Sequence, residues 1–214
     1  MDSSLANMRR EYASGALRKA EVDPDPIRQF QRWLQQAIAA RLPEPNAMVL
    51  ATTDRTGRPY ARVMLLKECA GEGFVFFSNY RSDKGRQLAE NPLAALVFPW
   101  LELERQVRVE GRVGRLAPAE SEAYFRSRPR ESRLGALASH QSQVVASRQV
   151  LDERFQQLAA RYPGDEIPMP AHWGGYRLRP ELLEFWQGRQ GRLHDRLRYR
   201  RQREGAWLLE RLEP

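Results

Sequence analysis

The 214-residue sequence predicts an α+β protein, an antiparallel β-barrel with flanking helices. Six or more short runs read as strands, most are joined by brief turns, and the helical segments are grouped between the strand runs. Neither G-x-G-x-x-G nor G-x-x-x-x-G-K-[ST] occurs, so the Rossmann and P-loop alternatives have no support.

Residues 1–22 are polar, basic and without strong periodicity, and read as a mobile arm ahead of one domain spanning 23–214. "DPDPIRQFQRWLQQAIAARLPEP" predicts a helix with Asp25 as cap and Pro26 in the first turn. Ile27, Phe30, Leu34, Ala37 and Ile38 form its apolar stripe, and Pro43 and Pro45 stop it. "AMVLATT" and "PYARVMLLK" flank the turn "DRTG", and "GFVFFSN" follows "CAGEG", giving three strands. "SDKGRQLAENP" is a short helix capped by Ser82 and ended before Pro92. "LAALVFPW" and "RQVRVEGRVGRLA" return to strand. In the second, Val107, Val109 and Val113 alternate with Arg108, Glu110 and Arg112, as in a sheet with one wet face. Residues 117–161 turn helical in three pieces, and "GDEIPMPAHWGG" is a loop. The chain ends in strand at "GYRLRPELLEFWQG", with a hairpin across "RQREGAW".

The formal charge is +8, which predicts attraction to an anion, whether a polymer, a membrane or a small phosphate. Of the 35 basic residues only Lys19, Lys67 and Lys84 are lysines. Coding bias explains such an excess of arginine, but an ammonium and a guanidinium are not interchangeable at a site, which draws attention to the surviving lysines. The single Cys69 excludes an internal disulfide and a cysteine-rich metal site. The opening residues lack an apolar leader, and no apolar run approaches the ~18 residues of a membrane span. A cytoplasmic, reduced location is expected. His140 and His172 have no metal-spaced partner, so no metal is expected either. Hydrolytic chemistry has no Ser/His/Asp or Cys/His signature behind it.

Five constellations can carry chemistry. In "RVMLLKE", strand periodicity puts Arg62, Met64 and Leu66 on one face and Val63, Leu65 and Lys67 on the other; both cations can also simply end a strand in solvent. In "FFSNYRSDKGRQL", Phe77 and Ser78 close an aromatic strand, and Ser82 and Lys84 sit in the first turn of the next helix. That is a phosphate seat, or an ordinary capped helix. "YFRSRPRES" sets Tyr124 and Arg128 four apart on one helical face with Ser132 beyond, a small-phosphate clamp or a plain helix end. Gln141 and Ser142 in "SHQSQ" read as a weak polar pair or a cap. Finally, Arg192, His194 and Arg196 alternate beyond Trp186. The stretch can be a nucleic-acid arm, a solvated hairpin or a pocket wall, and the period-two focusing favours the wall.

Taken together, "RVMLLK", "FFSNYRSDKGRQLAENP", "FPWLELERQVRVEG", "YFRSRPRESRLGALASHQS", "HWGGYRLRPELLEFWQG" and "RLHDRLRYRR" resemble the pyridoxine (pyridoxamine) 5′-phosphate oxidases over essentially the full chain. The resemblance implies a split β-barrel, an FMN-binding antiparallel Greek-key barrel, working as a homodimer with FMN at the subunit interface. It implies that FMN is held by Arg62, Val63, Met64, Leu65, Leu66 and Lys67, by Phe77, Ser78 and Lys84, and by Gln106, Gln141, Ser142, Trp186 and Arg196. It implies substrate contacts from Lys67, Tyr124, Arg128 and Ser132 at the phosphate, with Arg192 and His194 over the reacting end as the catalytic pair. Arg9 and Tyr12 match a segment that closes over the site. The implied reaction oxidises pyridoxine or pyridoxamine 5′-phosphate to pyridoxal 5′-phosphate, with dioxygen as acceptor and hydrogen peroxide as by-product. No nucleic-acid or membrane partner is implied. Asp83 departs from the family's usual arginine, which weakens the FMN phosphate seat unless Arg81 or Arg86 swings in, and Leu137 stands at a common tryptophan position. Two rivals remain, a related flavin oxidase of phenazine-type secondary metabolism and a basic nucleic-acid-binding module.

Overall fold

Asp25 starts the first helix as its composition predicts. In the computed structural model, which describes residues 7–8, 11–13 and 15–214, its carboxylate accepts the Ile27 N–H at 2.9 Å at the head of α1 (Pro26–Ala39). The buried stripe is Ile27, Phe30, Trp33 and Ala37. Trp33 takes the place expected of Ile38, which is 48% exposed, because the wider indole spans from the helix to the Phe185 ring 5.2 Å away. The helix stops at Ala39, ahead of the prolines, and Arg41 turns the chain through a left-handed φ of 55°.

Nine strands follow: β1 (Ala47–Thr53), β2 (Pro59–Leu65), β3 (Glu68–Ala70), β4 (Gly73–Asn79), β5 (Leu93–Trp100), β6 (Arg105–Arg115), β7 (Trp173–Gln187), β8 (Asp195–Arg201) and β9 (Trp207–Leu212). All pairs are antiparallel, in the order β2-β1-β5-β6-β7-β4-β3, with β8 and β9 continuing from the second half of β7. The run expected as one strand through Lys67 divides instead. Leu66 N–H donates to Asn46 O at 2.9 Å beside β1, whereas Lys67 N–H donates to Val75 O at 2.8 Å in β4. Adjacent residues thus pair with the two ends of the sheet, which curls into a barrel.

The barrel interior is the main core. Phe30 inserts between Phe74 and Phe98, at 4.9 and 4.7 Å between ring centres, and the predicted Val107, Val109 and Val113 face inward. Helices α3 (Pro118–Ser127), α4 (Arg130–Ala138) and α5 (Arg148–Arg161) cover a second cluster of Phe125, Leu134, Ile167 and Trp173, against which Leu137 packs in part. Helix α2 (Asp83–Glu90) lies near β1, with Ser82 Oγ accepting the Gly85 N–H at 3.3 Å.

β7 is the organising strand. One edge pairs with β6 along its length; the other pairs with β4 over residues 173–178 and with β8 over 182–187. Between these two pairings a bulge sets Glu110 opposite Leu182 but Gly111 opposite Pro180, leaving Glu181 extra. A Cβ at Gly111 would lie 2.1 Å from Arg179 O. We therefore expect Gly111→Ala to destabilise the fold by ~2 kcal/mol, since the obstacle is backbone. Thermal melts should show a fall of roughly 4–8 °C; an unchanged melt would mean that the bulge relaxes freely.

Candidate functional site

One cavity of about 480 Å³ collects residues from four distant segments: Lys67 after β2, Phe77 and Ser78 in β4, Tyr124, Arg128 and Ser132 around α3 and α4, and Gln141 in the following loop. Met64 and Leu65 also line it. Phe77 stacks on Tyr124 at 3.8 Å and on Trp173 at 5.5 Å, making an aromatic wall. The expectation that Tyr124 and Arg128 share a helical face is corrected: α3 ends at Ser127, and Arg128 is extended, with ψ 148° ahead of Pro129. That kink lays the guanidinium over Trp173 at 4.7 Å and buries Nη1 with no hydrogen-bond partner. Burial also pulls the Arg128 pKa below its ordinary value. Arg128, one guanidinium nitrogen of which is short of an acceptor, lines the cavity with Lys67 and Ser132, and such a set of donors fits a small phosphate.

A second cationic group lies beside the start of α2. Arg62 donates to Leu50 O at 3.2 Å, to Thr52 Oγ1 at 2.6 Å and to Gln87 Oε1 at 2.9 Å, which fixes its guanidinium against the helix. Lys84 is buried, and its pKa is lowered by desolvation and then by the neighbouring Arg62. Two cations that repel each other at a helix N-terminus favour an anion between them. Ser142, at a left-handed φ of 70°, accepts the Asp83 N–H on its hydroxyl at 3.2 Å, while Gln141 accepts the Ser78 hydroxyl at 3.4 Å. The departure at Asp83 is answered locally: Arg86, one turn on, pairs with its carboxylate.

The third group lies at the far end of β7. Gln106, Trp186 and Arg196 are direct cross-strand partners and form one rung across β6, β7 and β8. Arg192 and His194 do not continue that strand as the alternation suggested. Gly191 and Arg192 take left-handed φ values of 63° and 60° in a 3-10 turn, and β8 begins only at Asp195. His194 returns instead over Trp186, at 4.7 Å between ring centres, and its Nδ1 accepts the Arg189 N–H at 3.2 Å. A neutral imidazole so placed carries its proton on Nε2. Tyr12 sits edge-on to both rings, 5.7 Å from Trp186 and 5.6 Å from His194. Its segment is tied down by Ala13 N–H to Glu104 Oε2 at 2.8 Å and by Leu17 N–H to Asp195 Oδ2 at 3.0 Å. Arg9 lies outside the described residues.

The structure therefore divides the expected site residues. Ser78 pairs with Gly174 near one end of β7 and Trp186 lies at the other, up to roughly 40 Å apart at ~3.3 Å per residue. Val63, 70% exposed on strand β2 at the end of the sheet order, does not line the cavity. Sequence reasoning overlooked Trp173, Thr52, Gln87 and Glu184. Thr52, Gln87 and Glu184 are polar groups on buried faces, and an acid inside the apolar run "LLEFW" was the available signal for Glu184. Among the described residues no group of three or more His, Cys, Asp or Glu side chains is placed to hold a metal, and no helix is long and apolar enough to cross a membrane.

A curled antiparallel sheet with cationic seats on separate segments puts the protein in the split-barrel class. An FMN-binding protein of Nostoc punctiforme, described as pyridoxamine 5′-phosphate oxidase-related, shares the fold with a TM-score of 0.71 at 18% identity, over 90% of this chain and 100% of that one. PhzG of Burkholderia lata, solved with tetrahydrophenazine-1-carboxylic acid, superposes with a TM-score of 0.88 at 33% identity, over 93% and 98%. Residues 34–162 match the family model described as pyridoxamine 5′-phosphate oxidase, and residues 173–214 match the pyridoxine 5′-phosphate oxidase C-terminal dimerisation region. The chain belongs to the pyridoxamine 5′-phosphate oxidase family. Pyridoxine/pyridoxamine 5′-phosphate oxidases of Trichormus variabilis and Paraburkholderia phytofirmans are 55% and 56% identical to it, covering 100% and 99% of this chain and 100% of each relative.

Two terms compete at Arg128. The cation–π contact with Trp173 contributes about 1 kcal/mol, while the unpartnered buried N–H costs about 1–3 kcal/mol. Arg128→Met should leave the ligand-free protein as stable as wild type, or up to ~2 kcal/mol more stable. A denaturant titration that shows a clear loss would make this arginine structural.

Proposed function

We propose that this protein is an FMN-dependent oxidase that converts pyridoxamine 5′-phosphate or pyridoxine 5′-phosphate to pyridoxal 5′-phosphate, with dioxygen as acceptor and hydrogen peroxide as by-product, and that it acts as a cytoplasmic homodimer. One observation carries the reading: Lys67, Tyr124, Arg128 and Ser132 converge on one cavity around a buried guanidinium nitrogen that has no internal acceptor. These four bind the substrate's phosphate by charge-assisted hydrogen bonds. Arg62, Lys84 and Ser142 hold the phosphate of FMN, and Met64, Leu65 and Lys67, with Phe77, Ser78 and Gln141, flank the rest of the cofactor. When bound, FMN supplies the two-electron acceptor for oxidation at the substrate's 4′-carbon.

The rung Gln106–Trp186–Arg196 closes the site from the partner protomer, because within one chain it stands a barrel length away from the phosphate cavity. The match of residues 173–214 to a dimerisation region supports the same arrangement. Arg192 and His194 then lie over the reacting end of the substrate. His194 Nε2–H, oriented through the Nδ1 contact with Arg189, is the group that holds or passes a proton there. Arg9 and Tyr12 serve the substrate end of the site; Tyr12, packed against Trp186 and His194, keeps water from that end.

Purified protein should be yellow, and anaerobic pyridoxamine 5′-phosphate should bleach the flavin band; a colourless protein that fails to take up FMN defeats the proposal. Shared sites make a second forecast. Arg128→Met and Trp186→Ala should each abolish turnover as homodimers. Randomly mixed, the two should recover about one quarter of wild-type activity, since half the dimers are mixed and each of those has one intact site. Absence of recovery despite verified mixing would place both halves of the site in one chain.

A further inference from the structure

A second rung lies two residues from the first on the same face of the sheet. Arg108, Glu184, Arg198 and Glu210 are successive cross-strand partners through β6, β7, β8 and β9, so charge alternates in sign across four strands. Glu184 is 3% exposed. Its direct partner in register is Arg198, yet Arg198 bonds Glu210 at 2.9 Å. Glu184 instead reaches diagonally to the first rung, where Oε1 accepts Arg196 Nε at 2.8 Å, and its Oε2 lies 3.1 Å from Arg108 Nη2. Arg196 Nη1 donates to Glu213 O at 2.9 Å. Among the described residues this leaves Nη2 as the one guanidinium nitrogen of Arg196 without an internal acceptor. The Glu184 hydrogen bond also holds the Arg196 proton more tightly than usual.

We propose that Glu184 is a positioning residue for Arg196: from the buried rung it fixes the guanidinium on the rung of Trp186 with Nη2 left for a ligand, and so sets the affinity for FMN. The inference rests on the reading that Arg196 contacts FMN. An arginine tethered at Nε and Nη1 loses little rotamer freedom on binding, whereas a free one must be ordered by the ligand. Arg108 Nη2, 3.1 Å from Oε2, sets a counter-charge on the far side of the carboxylate.

The test is a double-mutant cycle on FMN binding, read by quenching of flavin fluorescence on titration into apoprotein. Glu184→Gln keeps the size and an acceptor but removes the charge, and should raise the FMN Kd about tenfold. In an Arg196→Met background the same change should move Kd by less than about twofold. Arg198→Gln, on the same rung without a bond to Arg196, should leave Kd unchanged. Because Glu184→Gln removes one of the two carboxylates beside Arg108, the other being Glu110 at 3.1 Å, Arg108→Gln/Glu184→Gln runs through the same cycle as the folded alternative, with melting temperatures taken for every variant. Equal effects of Glu184→Gln in both backgrounds, or no effect in either, overturn the inference. Should wild-type protein fail to bind FMN, or Arg196→Met bind it as wild type does, the reading of the site itself fails instead.

Discussion

The molecule is organised by one strand that shares a single edge between two partners. β7 gives residues 173–178 to β4 and residues 182–187 to β8, and Pro180 and Glu181 occupy the handover. Proline has no N–H to donate to a ladder, so the interruption falls where the lost hydrogen bond matters least. Gly111 permits the Arg179 carbonyl to approach on the opposite edge. From this arrangement the rest follows. The first half of β7 closes the barrel through β4, the second half projects a separate β8–β9 hairpin, and the cationic groups attached to each half are held far apart.

Separation gives dimerisation a chemical purpose. On the proposed reading, the cavity at one end and the indole–arginine rung at the other serve one small ligand only where a two-fold partner brings unlike ends together. On that reading the cofactor bridges the protomers and each site draws on both.

The positive charge divides by role in the same way. Much of the arginine excess is spent on pairing: Arg177 with Glu72 and Glu120, Arg198 and Arg200 with Glu210, Arg211 with Asp195. Those partners are largely half-exposed and contribute little each. Arg128, half-buried with Nη1 unpartnered, and the buried Lys84 differ, and burial pulls both pKa values down. Cations left short of partners on the inside of a fold are where an anionic ligand gains most. Glu184 shows a complementary use of charge, a buried carboxylate that accepts a hydrogen bond from Arg196 inside the sheet.

Local chemistry was legible in the amino-acid order. Caps at Asp25 and Ser82, the inward valines of β6, the α+β class and the family resemblance all depend on neighbours within a few positions or on quoted motifs, and each appears in the fold as expected. Other features needed the assembled chain. Arg128 left its helix because Pro129 follows it, Arg192 and His194 fell into a turn before β8, and Trp33 displaced Ile38 from the stripe because Phe185 stood within reach. Periodicity predicts which way a side chain points only where the backbone is regular, and these groups sit where it is not. Above all, no local pattern could show that Glu184 would bond Arg196 and not its β8 register partner Arg198, or that the cavity and the Trp186 rung lie toward opposite ends of β7. Such relations are set by strand register and barrel closure, which are decided by contacts between residues far apart in sequence.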